Sequence, residues 1–237
     1  MRHRFFALLP LSIFVLSILA LSPAFAEEAA KASEKAAAKT PEIETMKQDV
    51  AKKETTDHVV KTGDILTEHV MGNASAPVTI IEYASLNCSH CAHFHKDILP
   101  EVVKKYISTG KVKLIYRDFP LNAMALKAAQ LSQCMPEDRY FPFVKTLFEN
   151  QDAWNSAADP EATLTQYAKL AGLPGERITK CLADKNLQDA LVKRRMQAEN
   201  QFKINATPSF VINYGAETIS GIGTFEDFDK AIAKYVK

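Results

Sequence analysis

The residues best suited to chemistry are Cys88-Ser89-His90-Cys91. The β-branched run Val78–Tyr83 precedes them, and an apolar periodic stretch runs from Cys91 to Ile107. That context predicts a strand, a short turn, and two thiols at the opening of a helix. A helix N-terminus presents unpaired backbone N–H groups and the positive end of the dipole. Both favour thiolate over thiol, and the thiolate is the nucleophile in disulfide exchange. Cys88 is expected to be the exposed, attacking sulfur. Cys91, one turn on, is expected to be sheltered and to resolve a mixed disulfide. His90 adds a ring that can carry charge or donate a hydrogen bond to the anion.

The same cysteines could instead form a structural disulfide or half of a zinc site, and zinc needs two more ligands. His93 and His95 complete a Cys-x-x-Cys-x-His-x-His string. They fall two apart on a helix and point to different faces, so closure by this segment is awkward. Both read as helix-surface residues. No metal and no cofactor are expected beyond the Cys88–Cys91 disulfide itself.

Two more features stand apart from that segment. Ala206-Thr207-Pro208-Ser209-Phe210 leads into an apolar run. An X-Pro bond there can adopt cis at a cost of about 0.5–1 kcal/mol. Cys134 and Cys181 are the remaining cysteines. In an oxidising compartment an even count favours pairing, so a structural Cys134–Cys181 bridge is expected. Two separate buried thiols are the alternative.

The elements that must position these residues follow from periodicity. Lys111–Phe119 alternates around Val112, Leu114 and Tyr116 and reads as a second strand, ended by Pro120. Pro100 should kink the helix after the cysteines. From Asn122 to Phe202 apolar residues recur at helical spacing, with breaks at Pro136, Pro160, Gly172 and Pro174. Ser209–Ile212 and Glu217–Ser220 flank a hairpin-length connection containing Gly215. Thr224 can cap a last helix with Phe225, Phe228, Ile232 and Val236 on one face.

The chain begins with the basic Met1-Arg2-His3-Arg4, a mostly apolar Phe5–Leu21, and Ala24-Phe25-Ala26. This pattern reads as a cleaved secretion signal over residues 1–26. The alternative is a retained membrane anchor, for which the apolar stretch is a little short of the roughly 20 residues a spanning helix needs. Residues 27–57, rich in Ala, Lys, Glu and Thr, read as a flexible or partly helical spacer. With 29 basic and 28 acidic side chains and no polybasic run, charge gives no case for nucleic acid.

Taken together, Ala76–Tyr83, Cys88–Cys91, Arg117-Asp118-Phe119-Pro120-Leu121 and Ala206–Ile212 resemble the DsbA family of thiol–disulfide oxidoreductases. The resemblance covers roughly Val70 to Lys237. It implies an α/β thioredoxin fold with an inserted helical domain: residues 58–121 and 203–237 form the thioredoxin part, and 122–202 the insert. It implies Pro208 as the cis-proline beside the sulfurs, with Thr207 offering backbone hydrogen bonds to a substrate strand. It makes Glu82 a buried acid that moves protons beneath the cysteines. It implies disulfide introduction into reduced secreted proteins, a periplasmic location, and reoxidation by a DsbB-like membrane quinone reductase. Ser89 stands where the best-known DsbA has proline, and Thr207 is common among the isomerases. A DsbC-, DsbG- or ScsC-type isomerase or reductase is therefore the second enzymatic reading. A redox-inactive chaperone or copper carrier is the non-enzymatic one.

Overall fold

The computed structural model describes residues 65–236. The secretion signal and the spacer expected over residues 1–57 lie outside the described residues. Five strands make one mixed sheet in the order β1-β3-β2-β4-β5. They are β1 (His69–Met71), β2 (Val78–Ala84), β3 (Val112–Asp118), β4 (Ser209–Ile212) and β5 (Glu217–Ser220). β2 pairs parallel with β3 and antiparallel with β4, which places Glu82 between Tyr116 and Phe210. Every residue of β2 is buried, as a central strand covered on both faces requires.

After β2 the chain enters α1 (Ser89–His93), a π-helical turn (Phe94–Ile98), α2 (Leu99–Val102) and a second π-helical turn (Val103–Ile107). The expected kink at Pro100 takes this form. Pro100 has no N–H, so the α ladder cannot pass through it unbroken. The wider turn just before it absorbs the defect, with the Leu99 N–H donating to the Phe94 carbonyl. Phe94 then packs on Phe210 and Phe228 at ring separations of 4.7 and 5.6 Å. Such aromatic pairs each add about 0.5–1.5 kcal/mol beyond their buried area. They fix the helical run against the sheet.

The helical block expected from Asn122 to Phe202 comprises α3 (Ala123–Gln133), α4 (Glu137–Glu149), α5 (Gln151–Asn155), α6 (Pro160–Leu170), α7 (Gly175–Ala183) and α8 (Lys185–Phe202). The Asn122, Asp159 and Asp184 side chains cap α3, α6 and α8 by accepting backbone N–H bonds. Leu131, Tyr140, Phe143, Leu147, Phe148 and Trp154 bury against Ala84, Leu86 and Cys91. The block thus closes over the end of β2 that carries the cysteines. Thr224 caps α9 (Phe225–Ala233), whose Phe228 and Ile232 join the core beneath Phe94.

One strand escaped the sequence reading. β1 has three residues, too few for a period, and pairs with β3. It is held by side chains rather than length. Glu68, just before it, pairs with Arg117 of β3 at 2.8 Å and Arg194 of α8 at 3.2 Å. His69 stacks on Tyr140 at 3.2 Å between ring centroids, and burial lowers its pKa to about 4.

Cys134, at the end of α3, and Cys181, in α7, are joined in a disulfide with Cα atoms 6.3 Å apart. The bridge spans 47 positions and ties two helices of the block. In the chain-entropy account, a loop of that length contributes about 4 kcal/mol, less any strain. Replacing both cysteines by serine, with Cys88–Cys91 oxidised in variant and parent alike, should lower stability by about 2–4 kcal/mol in urea unfolding. An unchanged midpoint and slope would show that the bridge does not stabilise the block.

Candidate functional site

Cys88 sits at the N-cap of α1 with extended backbone angles, φ −88° and ψ 122°. β2 delivers it through a tight turn, closed by the Cys88 N–H donating to the Ser85 carbonyl at 3.0 Å. The Cys88 carbonyl accepts from the Ala92 N–H at 3.0 Å and opens the helix. Cys88 is half-buried and Cys91 is fully buried, and the two are unbridged.

Their electrostatics diverge. The Cys88 thiol is pulled down to about 4, first by a hydrogen bond from Cys91, then by the Thr207 side chain and the Cys91 and His90 backbone N–H groups. Partial burial opposes this and is outweighed. Cys91 moves the other way. Burial raises its pKa first, and the neighbouring Cys88 and Glu82 charges add to it. One sulfur is held as an anion near neutrality while the other keeps its proton. His90 acts on Cys88 through its backbone N–H, while its ring lies exposed.

The loop before β4 supplies the other wall. Thr207-Pro208 is cis, Pro208 is buried, and Cys88 Sγ lies 3.3 Å from the Thr207 carbonyl oxygen. The structure therefore brings Cys88, Cys91, Thr207 and Pro208 together. Cys134 and Cys181 lie apart, within the helical block.

Beneath the cysteines, Glu82 is fully buried on the central strand. Both carboxylate oxygens lie within hydrogen-bond reach of His95 Nε2, at 3.0 and 3.1 Å. The expectation that His95 lies on the helix surface is wrong. It is 7% exposed and stacks on Phe148 with 4.1 Å between ring centroids. His95 is four residues beyond Cys91, so it shares the buried face of the helical run. A carboxylate deep in an apolar core needs a hydrogen-bonding partner, and His95 provides it. His93 does lie on the surface, between Asp97 at 2.6 Å and the Gly223 carbonyl at 2.9 Å. Among the described residues, no group of three or more His, Cys, Asp or Glu side chains is placed to hold a metal ion.

The split between the sulfurs generates a prediction. In the reduced, unfolded chain Cys88 titrates at its ordinary value, and in the folded chain near 4. Thiolate stabilisation of the reduced fold is therefore complete above the ordinary thiol range and is lost as pH falls through about 4. The stability of reduced relative to oxidised protein should decline between pH 7 and pH 4 in denaturant titrations. A pH-independent difference would contradict the assignment. Iodoacetamide at mildly acidic pH should label Cys88 in preference to Cys91; peptide maps showing the reverse would also contradict it.

Comparison with known proteins agrees with this geometry. The sequence profile of the family described as thioredoxin matches residues 64–234. A Rickettsia felis protein with the provisional name protein-disulfide oxidoreductase is 33% identical over 67% of this chain. The match spans only 58% of that relative's length. The crystal structure of Wolbachia pipientis alpha-DsbA1 superposes with a TM-score of 0.65 at 35% identity, covering 71% of this chain and 90% of that one. Oxidised BdbD from Bacillus subtilis gives a TM-score of 0.62 at 25% identity, covering 71% and 92%. By its profile, its sheet order and its likeness to alpha-DsbA1, the chain belongs to the thioredoxin family, in the DsbA-like branch.

Proposed function

We propose that this protein introduces disulfide bonds into secreted proteins by dithiol–disulfide exchange at Cys88 and Cys91. The observation that carries the reading is the contrast between the sulfurs: Cys88 accessible and held as thiolate, Cys91 buried and protonated. Stabilising the reduced form makes the Cys88–Cys91 disulfide an easier one to break, hence a better oxidant.

The cycle starts from the oxidised pair. A substrate thiolate attacks Cys88 Sγ, and the Cys88–Cys91 bond breaks. A bond forms between the substrate sulfur and Cys88, and Cys91 leaves with the electron pair. Burial disfavours an anion there, so Cys91 takes up a proton. Glu82, held by His95 below the pair, is the group that passes it. The substrate's second thiolate then attacks the substrate sulfur of the mixed disulfide, and Cys88 departs as the stabilised thiolate. The substrate has lost two electrons and its thiol protons; the protein has gained two electrons. Thr207, whose carbonyl meets Cys88, lies where an extended substrate segment would pair with backbone.

The physiological setting follows from the same reading. The cysteines work in an oxidising compartment, the periplasm, reached through the N-terminal signal. Reduced Cys88–Cys91 is returned to the disulfide by a DsbB-like membrane quinone reductase.

Glu82→Gln keeps shape and removes the acid. It should slow the proton-coupled formation of the mixed disulfide, the step in which Cys91 departs, by about 10²-fold, the low end for general acid–base participation. Stopped-flow oxidation of a dithiol peptide reads the effect, and the variant should still show an acidic Cys88. A rate equal to the parent's would remove Glu82 from the mechanism. Catalysis of insulin reduction without net oxidation of the dithiol peptide would overturn the oxidase reading itself.

A further inference from the structure

We infer that Gln151, from the helical block, is a positioning residue that sets the acidity of Cys88 by holding the carbonyls of Leu86 and of Cys88 itself. This rests on the reading of Cys88 as the sulfur that exchanges with substrate and departs as thiolate. Gln151 is the first residue of α5 and is 6% exposed. Its one side-chain amide nitrogen donates to the Leu86 carbonyl at 2.7 Å and to the Cys88 carbonyl at 3.0 Å. These bonds cross 65 and 63 positions of sequence and join the block to the turn that presents the thiol.

The amide is held in place from its own side. Trp154, fully buried, donates its indole N–H to the Leu147 carbonyl at 2.8 Å. Asn150 donates its side-chain amide to the Thr146 carbonyl at 2.9 Å. The junction between α4 and α5 is thus pinned, and the Gln151 side chain reaches the turn from a fixed base.

Three consequences act in one direction. The positive end of the amide dipole lies against the carbonyl of the residue that carries the thiolate. The Cys88 carbonyl also opens the helix, so fixing it fixes the direction of the Cys91 and His90 N–H groups that stabilise the anion. The buried Leu86 carbonyl is supplied with a donor. Without the amide, the field at Cys88 Sγ weakens, the first turn loosens, and a buried acceptor goes unpaired.

The test is a thiolate titration by absorbance near 240 nm on the reduced, full-length protein. Gln151→Leu removes the donors at similar bulk. Gln151→Glu keeps the shape and turns an acceptor toward both carbonyls. Each should weaken the Cys88 acid dissociation constant by about three- to tenfold, the range for losing one or two hydrogen bonds. Leu164→Ala, a cavity at a fully buried position in α6, should lower the melting temperature and leave the titration where the parent has it. If Gln151→Glu and Gln151→Leu titrate with the parent, or if Leu164→Ala shifts the curve as far as they do, the inference is overturned. A parent protein that itself titrates in the ordinary thiol range would overturn the reading of Cys88 and this inference with it.

Discussion

A sulfur anion at the first turn of a helix is the interaction on which the rest of this structure depends. Cys88 keeps its charge near neutrality because backbone N–H groups, the Cys91 thiol and the Thr207 side chain converge on one atom. That convergence demands a strand ending at a fixed point, a turn of fixed shape, and a second loop brought back across more than a hundred residues. β2, the Ser85–Asn87 turn and the cis Thr207-Pro208 segment meet these demands. The pairing of β2 with β4, Glu82 opposite Phe210 and Tyr83 opposite Ser209, sets where Pro208 falls relative to the thiol.

The second demand is placed on the core. The proton transfer proposed for the sheltered sulfur asks for an acid in an apolar core, where charge costs solvation. Glu82 and His95 resolve the conflict as a pair, each satisfying the other while Phe148, Tyr116 and Phe94 enclose them. The π-helical turn at Phe94–Ile98 has two consequences here. It accommodates Pro100, and it contains His95, which faces the sheet. The helical block supplies Phe148 to this enclosure and Gln151 to the turn above it. The block therefore belongs to the chemistry as well as to the stability of the molecule.

Sequence alone exposed the parts of this arrangement that are local. The β-branched run of β2, the Cys-x-x-Cys at a helix start, the Gly215 hairpin and the Thr224 cap each announce themselves within a few residues. β1 did not, because three residues carry no period and its hold comes from Glu68, Arg117 and Arg194, distant in sequence. The spacing of two between His93 and His95 puts them on different faces without saying which face is buried. The spacing of four between Cys91 and His95 was the signal available. Gln151 could not be read, since nothing in the chemistry of a glutamine at a helix start points to a turn more than sixty residues earlier. The roles of Glu82 and Thr207 come through family resemblance; neither the periodicity of β2 nor the loop before β4 marks them.

The central claim is that a stabilised Cys88 thiolate makes the Cys88–Cys91 disulfide strongly oxidising. The most direct test is the equilibrium of that pair against a series of glutathione ratios at pH 7. The reduction potential should fall toward the DsbA end of the thiol–disulfide range, above about −180 mV. A potential near the thioredoxin value of about −270 mV would mean that the helix terminus and the Thr207 loop do not hold the anion as described, and would contradict the account.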